Sequence, residues 1–355
     1  MAQEDKGVWR PAQSTTEAEA AAVRKCRRLD LGCVADRLPT PDMPDAGDAV
    51  MMRTLSRAER QHVLPASSFH FAVISARRAR TKIGRQDIAR VQKSLCDHYA
   101  SPIWYVDEAS LNAYKELGVE AVVGGTITEA RNAALVFAES HGQVCVQVSD
   151  DISGWTFLPV EEQSTDKQQN NERVKSVAID VSPLEAARYL VAKMRGSSLE
   201  PKPRLGGLYP CKNGTWALEN APFGAWDFII GDFFVVDVAP AKTDQHMPLR
   251  FDHAMTLKCD FDFTLQNLVR FGSVCRCNRL LINAKHDQAG GASNVRDPRK
   301  EEEKFNAELL SAKWGALVRV RKTGKNIDIV KTAHGRRNLA EGPKPLTEGD
   351  EGGDA

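Results

Sequence analysis

From Phe69 onward, short apolar runs alternate with stretches in which apolar residues recur every three or four positions. Phe69, Phe71 and Val73 alternate with His70 and Ala72 before the run closes on Ile74-Ser75, which predicts a first central strand. A basic loop follows, and then IARVQKSLCDHYA places Ile88, Val91, Leu95 and Tyr99 on one helical face. Ser101-Pro102 breaks that helix, PIWYVDE supplies a second strand, SLNAYKELG a helix stopped at Gly118, and EAVVGG a third strand. In ITEARNAALVFAES the residues Ala130, Ala134, Leu135, Phe137 and Ala138 lay one face on a sheet, and VCVQV is the next strand. Strands alternating with helices at this spacing predict an α/β fold with a parallel, doubly wound sheet.

The second half continues less regularly. FLPVEEQSTDKQQNNERVKS is polar and reads as a mobile loop or hairpin insertion, SVAIDVS as a strand, and PLEAARYLVAKMRGS as a helix opened by Pro183. FGAWDFIIGDFFVVDVAP suggests an apolar hairpin turning near Gly231-Asp232. The segment from Phe251 to Asn294 reads as a loop, a helix, a strand and a Gly-rich tail; EEEKFNAELLSAKWG is an amphipathic helix, and ALVRVRKTGKNIDIVK a hairpin. Residues 1–65 are rich in Ala, Glu, Arg and Pro and read as a weakly ordered extension with one helix near Thr16 to Arg28. The expected domain is therefore 66–335, followed by a disordered acidic tail over 336–355.

A chain of 355 residues with 42% hydrophobic content can bury a full-sized core. Its net charge of +1 sets up no global field, so any nucleic-acid contact must come from a local patch. The eight cysteines are scattered, and Cys275-Arg276-Cys277 lacks both zinc-site spacing and a partner pair, so reduced intracellular thiols are expected. MAQEDKGVWR has no apolar leader core and no run approaches a membrane span, which predicts a soluble protein of cytoplasm or nucleus without a membrane partner.

Two acidic groups draw attention. Asp150 and Asp151 stand where VCVQVS stops, at the sheet edge where open α/β folds bind ligands. Their hard oxygens suit Mg²⁺ or Mn²⁺ holding phosphates, although such a pair also serves as a turn or helix cap. Upstream, Arg131 and Asn132 occupy the start of a helix. Far downstream, Lys258-Cys259-Asp260-Phe261-Asp262-Phe263 opens another helix, where Asp260 is a cap or a functional carboxylate. Its helix N-terminus favours the ionised form, ready to accept a proton. His286, beside Lys285, precedes Gly290-Gly291, whose backbone amides could approach phosphate closely. Tyr209, Trp216, Phe223 and Trp226 could stack on an acceptor, and the basic loop of Arg77, Arg78, Arg80, Lys82, Arg85 and Arg90 could follow a nucleic-acid backbone.

An ARN helix followed by a strand ending in an acidic motif resembles GT-A glycosyltransferases. From Phe69 to about His334 the chain is similar to the TET-associated glycosyltransferase family, where a KxDxDFTLQ segment and an H-x(3)-GG element follow. The resemblance implies a GT-A-like, mixed and mostly parallel sheet flanked by helices. It also implies metal-dependent, inverting transfer of a sugar, glucose among the candidates, from a UDP-sugar to a hydroxyl such as that of a hydroxymethylpyrimidine in DNA. Carried over by position, Asp151 and His286 become metal ligands for Mn²⁺ or Mg²⁺, and Asp150 a ribose or supporting contact. Ser75, Arg77 and Arg78 receive the nucleoside, Arg131 and Asn132 contact the donor, and Lys285, Gly290 and Gly291 its phosphates. Asp260 becomes the base, with Asp262 the alternate. Ser149 at the first position of the acidic triplet and Cys259 where Glu is more usual depart from the pattern. Those departures leave open a catalytically degenerate scaffold acting as an interaction module. A nucleotidyltransferase would need a GxG-type first loop, which ISARRARTKIG lacks.

Overall fold

All six residues of Phe69–Ile74 (β1) are buried, the condition of a strand covered on both faces. The computed structural model describes residues 46–98, 100–238, 248–284, 299–320 and 327–329. Ahead of β1 come helices α1 (Ala46–Arg53) and α2 (Arg57–Arg60). After it α3 (Lys82–Cys96), β2 (Ile103–Val106), α4 (Leu111–Glu116), β3 (Ala121–Val123), α5 (Ile127–Ser140) and β4 (Val144–Ser149) alternate as expected. β3, β2, β1 and β4 pair in that order, all parallel.

The sheet then changes character. β5 (Ile152–Phe157), β6 (Ile179–Val181), β7 (Leu205–Tyr209), β8 (Phe223–Gly224), β9 (Phe233–Val236) and β10 (Cys275–Ala284) extend it in the spatial order β4-β9-β7-β10-β5-β6. β9 runs against both β4 and β7, β10 lies parallel to β7, and β5 returns against β10. Most strands keep the direction of β1, so the sheet is mixed but mostly parallel, and the class is α/β. The remaining helices are α6 (Lys167–Val177), α7 (Pro183–Arg195), α8 (Gly214–Leu218), α9 (Cys259–Phe271) and α10 (Arg299–Trp314).

The alternation of β1 divides the core in two. Phe69, Phe71 and Val73 join α3 and α7 through Ile88, Val91, Leu95 and Leu190. Ala72 and Ile74 face α5, α9 and α10 through Ala134, Leu135, Phe263, Leu268 and Trp314. A residue-by-residue switch of side is what a period of two imposes on a strand.

Four expectations change. The folded unit starts before residue 66: Met51 and Leu55 are buried, Asp48 Oδ1 accepts from the Ser182 amide at 2.7 Å, and Lys193 pairs with Glu59 at 3.0 Å. The polar stretch after β5 carries α6, capped where Asp166 accepts from Gln169 N at 3.0 Å and tied down where fully buried Asn170 donates to Ser164 O at 2.6 Å. Residues 223–238 are not a hairpin: β8 pairs with β10, while four-residue β9, buried throughout, fills the gap between β4 and β7. α3 begins at Lys82, so Arg85 and Arg90 belong to a helix rather than a loop. The hairpin expected last is present as β11 (Val318–Val320) antiparallel to β12 (Ile327–Ile329). The helix expected near Thr16 to Arg28 and the tail over 336–355 lie outside the described residues. The six described cysteines form no disulfide, and no described helix is long and apolar enough to cross a membrane.

Candidate functional site

The carboxyl ends of the parallel strands meet along one edge. Ser75 leaves β1, Asp107 leaves β2, and Asp150 and Asp151 leave β4. Arg77 takes a left-handed conformation, φ 62°, that few non-glycine residues adopt. Its amide donates to Ser110 Oγ at 3.0 Å and its Nε pairs with Asp107 Oδ2 at 3.2 Å, which secures the turn. Arg78, next in the chain, is only 3% exposed. Its guanidinium stands among three carboxylates: Nε is 2.6 Å from Asp150 Oδ1, Nη2 3.4 Å from Asp151 Oδ2, and Nη1 3.7 Å from Asp87 Oδ2. Nη1, at 3.7 Å from Asp87, is beyond hydrogen-bond range, so that contact is ionic. Gly84 makes the close approach possible, because a Cβ there would lie 2.1 Å from the Arg78 carbonyl oxygen.

Asp150 is saturated. Besides Arg78, it accepts from Ser75 Oγ, which itself lies 2.5 Å from the buried Tyr114 hydroxyl. Burial pushes the Asp150 carboxyl up to about 6, against the lowering pull of Arg78 and Ser75 and with some help from Asp151. Asp151 accepts at Oδ1 from Ser149 Oγ at 2.7 Å. The residue that departs from the acidic triplet thus closes onto the carboxylate it precedes. The pair does not fit the divalent cation expected of it. Asp150 has both oxygens committed, the Asp151 oxygen left over faces a guanidinium, and among the described residues no group of three His, Cys, Asp or Glu is placed to hold a metal.

The second acidic group reaches the same edge through a two-residue bridge. Gly231 and Asp232 precede β9, and the Asp232 carbonyl accepts from the Ser149 amide at 2.7 Å. On the other side of the bridge, the Gly231 amide donates to Asp260 Oδ2 at 3.2 Å, and Arg131 Nη2 donates to the Gly231 carbonyl at 3.1 Å. Arg131 is 6% exposed, between the rings of Phe234 and Phe251, each 5.2 Å from its Cζ. Its Nε and Nη1 have no hydrogen-bond partner. A Cβ on Gly231 would lie 2.5 Å from Arg131 Nη2 and 3.4 Å from Asp260 Oδ2, so glycine is needed where these two groups converge. Asp260 also accepts from the Phe261 amide at 3.0 Å. The expected effect of the helix start on this carboxyl is outweighed. Burial raises it above the ordinary value, while Arg131, Lys258 and the amides of Gly231 and Phe261 oppose.

Other expected site residues have structural partners. Asn132 Nδ2 donates to the Phe251 carbonyl at 2.9 Å and its Oδ1 accepts from the Phe251 amide at 2.7 Å, a two-point clamp on the loop before α9. Asp262 is fully buried, accepting from Gln266 Nε2 at 2.7 Å and Trp314 Nε1 at 2.8 Å, with Lys313 Nζ 2.9 Å away. That arrangement leaves no opening for a reacting group. Leu208 and Tyr209 are core residues, whereas Trp216 is 52% exposed, so the four aromatics form no single wall. Lys285, His286, Gly290 and Gly291 lie outside the described residues. The pairing of Ile152 with Ala284 does bring the carboxyl end of β10 beside Asp151.

Sequence reasoning passed over Asp87, Tyr114 and the Gly231 bridge. Asp87 had a signal: with Gly84, Val91 and Leu95 it falls on the apolar stripe of α3, where an unpaired acid would be costly. Searches of protein-family models, curated proteins and solved structures return no match to this chain.

Proposed function

We propose that the chain is a glycosyltransferase that takes a sugar from a UDP-sugar at the carboxyl edge of β1, β2 and β4 and passes it to a hydroxyl, with Asp260 as the base. The observation that carries this reading is the Gly231-Asp232 bridge: its Asp232 carbonyl accepts from the Ser149 amide at the acidic end of β4, and its Gly231 amide donates to the Asp260 carboxylate. Open α/β folds bind nucleotides at such an edge. Asp260 is half-buried, oriented by two amides, and its raised pKa moves a carboxylate toward the range of an effective general base. In the step proposed, the acceptor O–H gives its proton to Asp260 while its oxygen bonds to the anomeric carbon. The bond from that carbon to the diphosphate breaks, and UDP leaves with the electron pair. The unpartnered donors of Arg131 stand beside Asp260 and would favour an anionic group there.

The acceptor class rests on the family resemblance, a hydroxymethylpyrimidine in DNA. Exposed Arg80, Lys82 and Arg85, at the start of α3, flank this edge and suit phosphate contacts. UDP release from a panel of UDP-sugars, with an oligonucleotide carrying hydroxymethylcytosine as acceptor, tests the reading. Turnover by wild type that disappears in Asp260→Asn, with UDP binding retained, is the expected result. Absence of both UDP binding and turnover would reject it. The scaffold reading would gain from that result, since the acidic pair is already internally neutralised by Arg78.

A further inference from the structure

We infer that Arg78 is the resident cation of the acidic end of β4, and that a divalent ion binds there only once Arg78 is removed. Two adjacent carboxylates at a strand end look from sequence like half of a metal site. In the folded chain the position facing both already holds a positive group. The Arg78 guanidinium lies 2.6 Å from Asp150 and 3.4 Å from Asp151, and all three residues are at most 5% exposed. A third carboxylate, Asp87 on α3, stands 3.7 Å away on the far side and is itself held by Arg90 Nη1 at 2.8 Å. The arginine is thus gripped from α3 and from the end of β4, and it cannot swing aside without taking the facing cation from Asp150 and Asp151 in a buried place, which is strongly unfavourable.

A divalent ion at Asp151 Oδ2 would sit within contact distance of a fixed like charge. Coulomb repulsion at that range is appreciable even at the dielectric of water and grows with burial. The ion would also have to strip Asp150 of its bonds to Ser75 and Arg78 to gain a second ligand. The cluster therefore keeps its acids in register without metal. This inference about Mn²⁺ stands without the transferase reading. Resting on that reading, it adds that any nucleotide diphosphate bound at this edge binds equally in Mn²⁺ and in EDTA.

The first test titrates Mn²⁺ alone into the full chain and follows free Mn²⁺ by electron paramagnetic resonance, with no nucleotide present. Wild type and Arg78→Lys are expected to show no stoichiometric site, and Arg78→Met to gain one, with affinity higher by about tenfold or more. The gain should vanish in Arg78→Met/Asp151→Asn. Thermal unfolding supplies a second readout: Mn²⁺ should raise the Tm of Arg78→Met and leave wild type unmoved. Should Arg78→Met alone not fold, Arg78→Met/Asp87→Asn removes one buried charge of each sign and carries the same expectation. A stoichiometric Mn²⁺ site in wild type, or none in either Met variant, overturns the inference. UDP binding by calorimetry in Mn²⁺ and in EDTA is the second test. Equal affinities support the added claim, tighter binding in Mn²⁺ overturns it, and no UDP binding at all counts against the transferase reading only.

Discussion

Two aspartates stand two residues apart at the start of α9, and the fold gives them opposite consequences when changed. Asp262 is the one whose loss should damage stability. Its Oδ1 takes both the Trp314 indole N–H and the Lys313 ammonium, so it fastens α10 to α9. Asp262→Ala leaves that indole N–H, in a residue 4% exposed, without its acceptor, which costs ~1–3 kcal/mol. It also removes a charge-assisted contact worth ~1.5–3 kcal/mol, although Lys313 keeps Asp252 at 2.6 Å. The total, roughly 4 kcal/mol, matches the usual ~3–5 kcal/mol for removing one partner of a buried ion pair. For a domain of this size that is a fall in Tm of roughly 8–16 °C. Asp260→Asn should shift stability by less than about 1 kcal/mol, since burial already disfavours its charged form. Urea unfolding followed by tryptophan fluorescence reads the comparison, with Trp314 itself reporting on the junction. Asp262→Leu/Lys313→Met should recover part of the loss, because an apolar pair replaces both charges. Asp262→Ala unfolding at the parent's midpoint, or Asp260→Asn being the more damaged of the two, would refute this account of the junction.

Asn132→Ala should destabilise by about 2 kcal/mol through two lost hydrogen bonds to Phe251, and UDP affinity measured well below its Tm should stay within about twofold of wild type. A selective loss of UDP binding would instead make Asn132 a donor contact. Asp150 sets a pH dependence. Its native carboxyl, about 6, holds a proton that the unfolded chain releases near 3.8, so the native state binds more protons between those values. Stability must then fall as pH rises through that window, by ~3 kcal/mol, and level off above it. Asp150→Asn should lack this fall, and denaturation series at several pH values on both chains would show it; parallel curves would contradict the buried-acid account.

Local pattern sufficed where one physical preference dominates. The alternation Phe69-His70-Phe71-Ala72-Val73 marked a strand buried on both sides, and the stripe Ile88, Val91, Leu95 marked a helix, because burial periodicity is written in neighbouring residues. The acidic end of β4 was visible for the same reason. Where polar residues make a helix, as in α6, the deciding bonds come from buried Asn170, which reaches back to Ser164 and across to the Thr215 carbonyl at 3.5 Å, and hydropathy alone suggested a loop. The run 223–238 misled because β9 is apolar enough to pair with anything; the vacancy between β4 and β7 chose its neighbours.

From the chain alone one can read the α/β class, the first four strands with the helices between them and the two acidic clusters, since each follows from the preferences of residues a few positions apart. Tertiary structure decided which charges meet. Arg78 reaches Asp87, Asp150 and Asp151, Gly231 joins Arg131 to Asp260, and Asp262 turns inward to Lys313. Electrostatic partnership depends on distance and burial in space, and neither is encoded in separation along the chain.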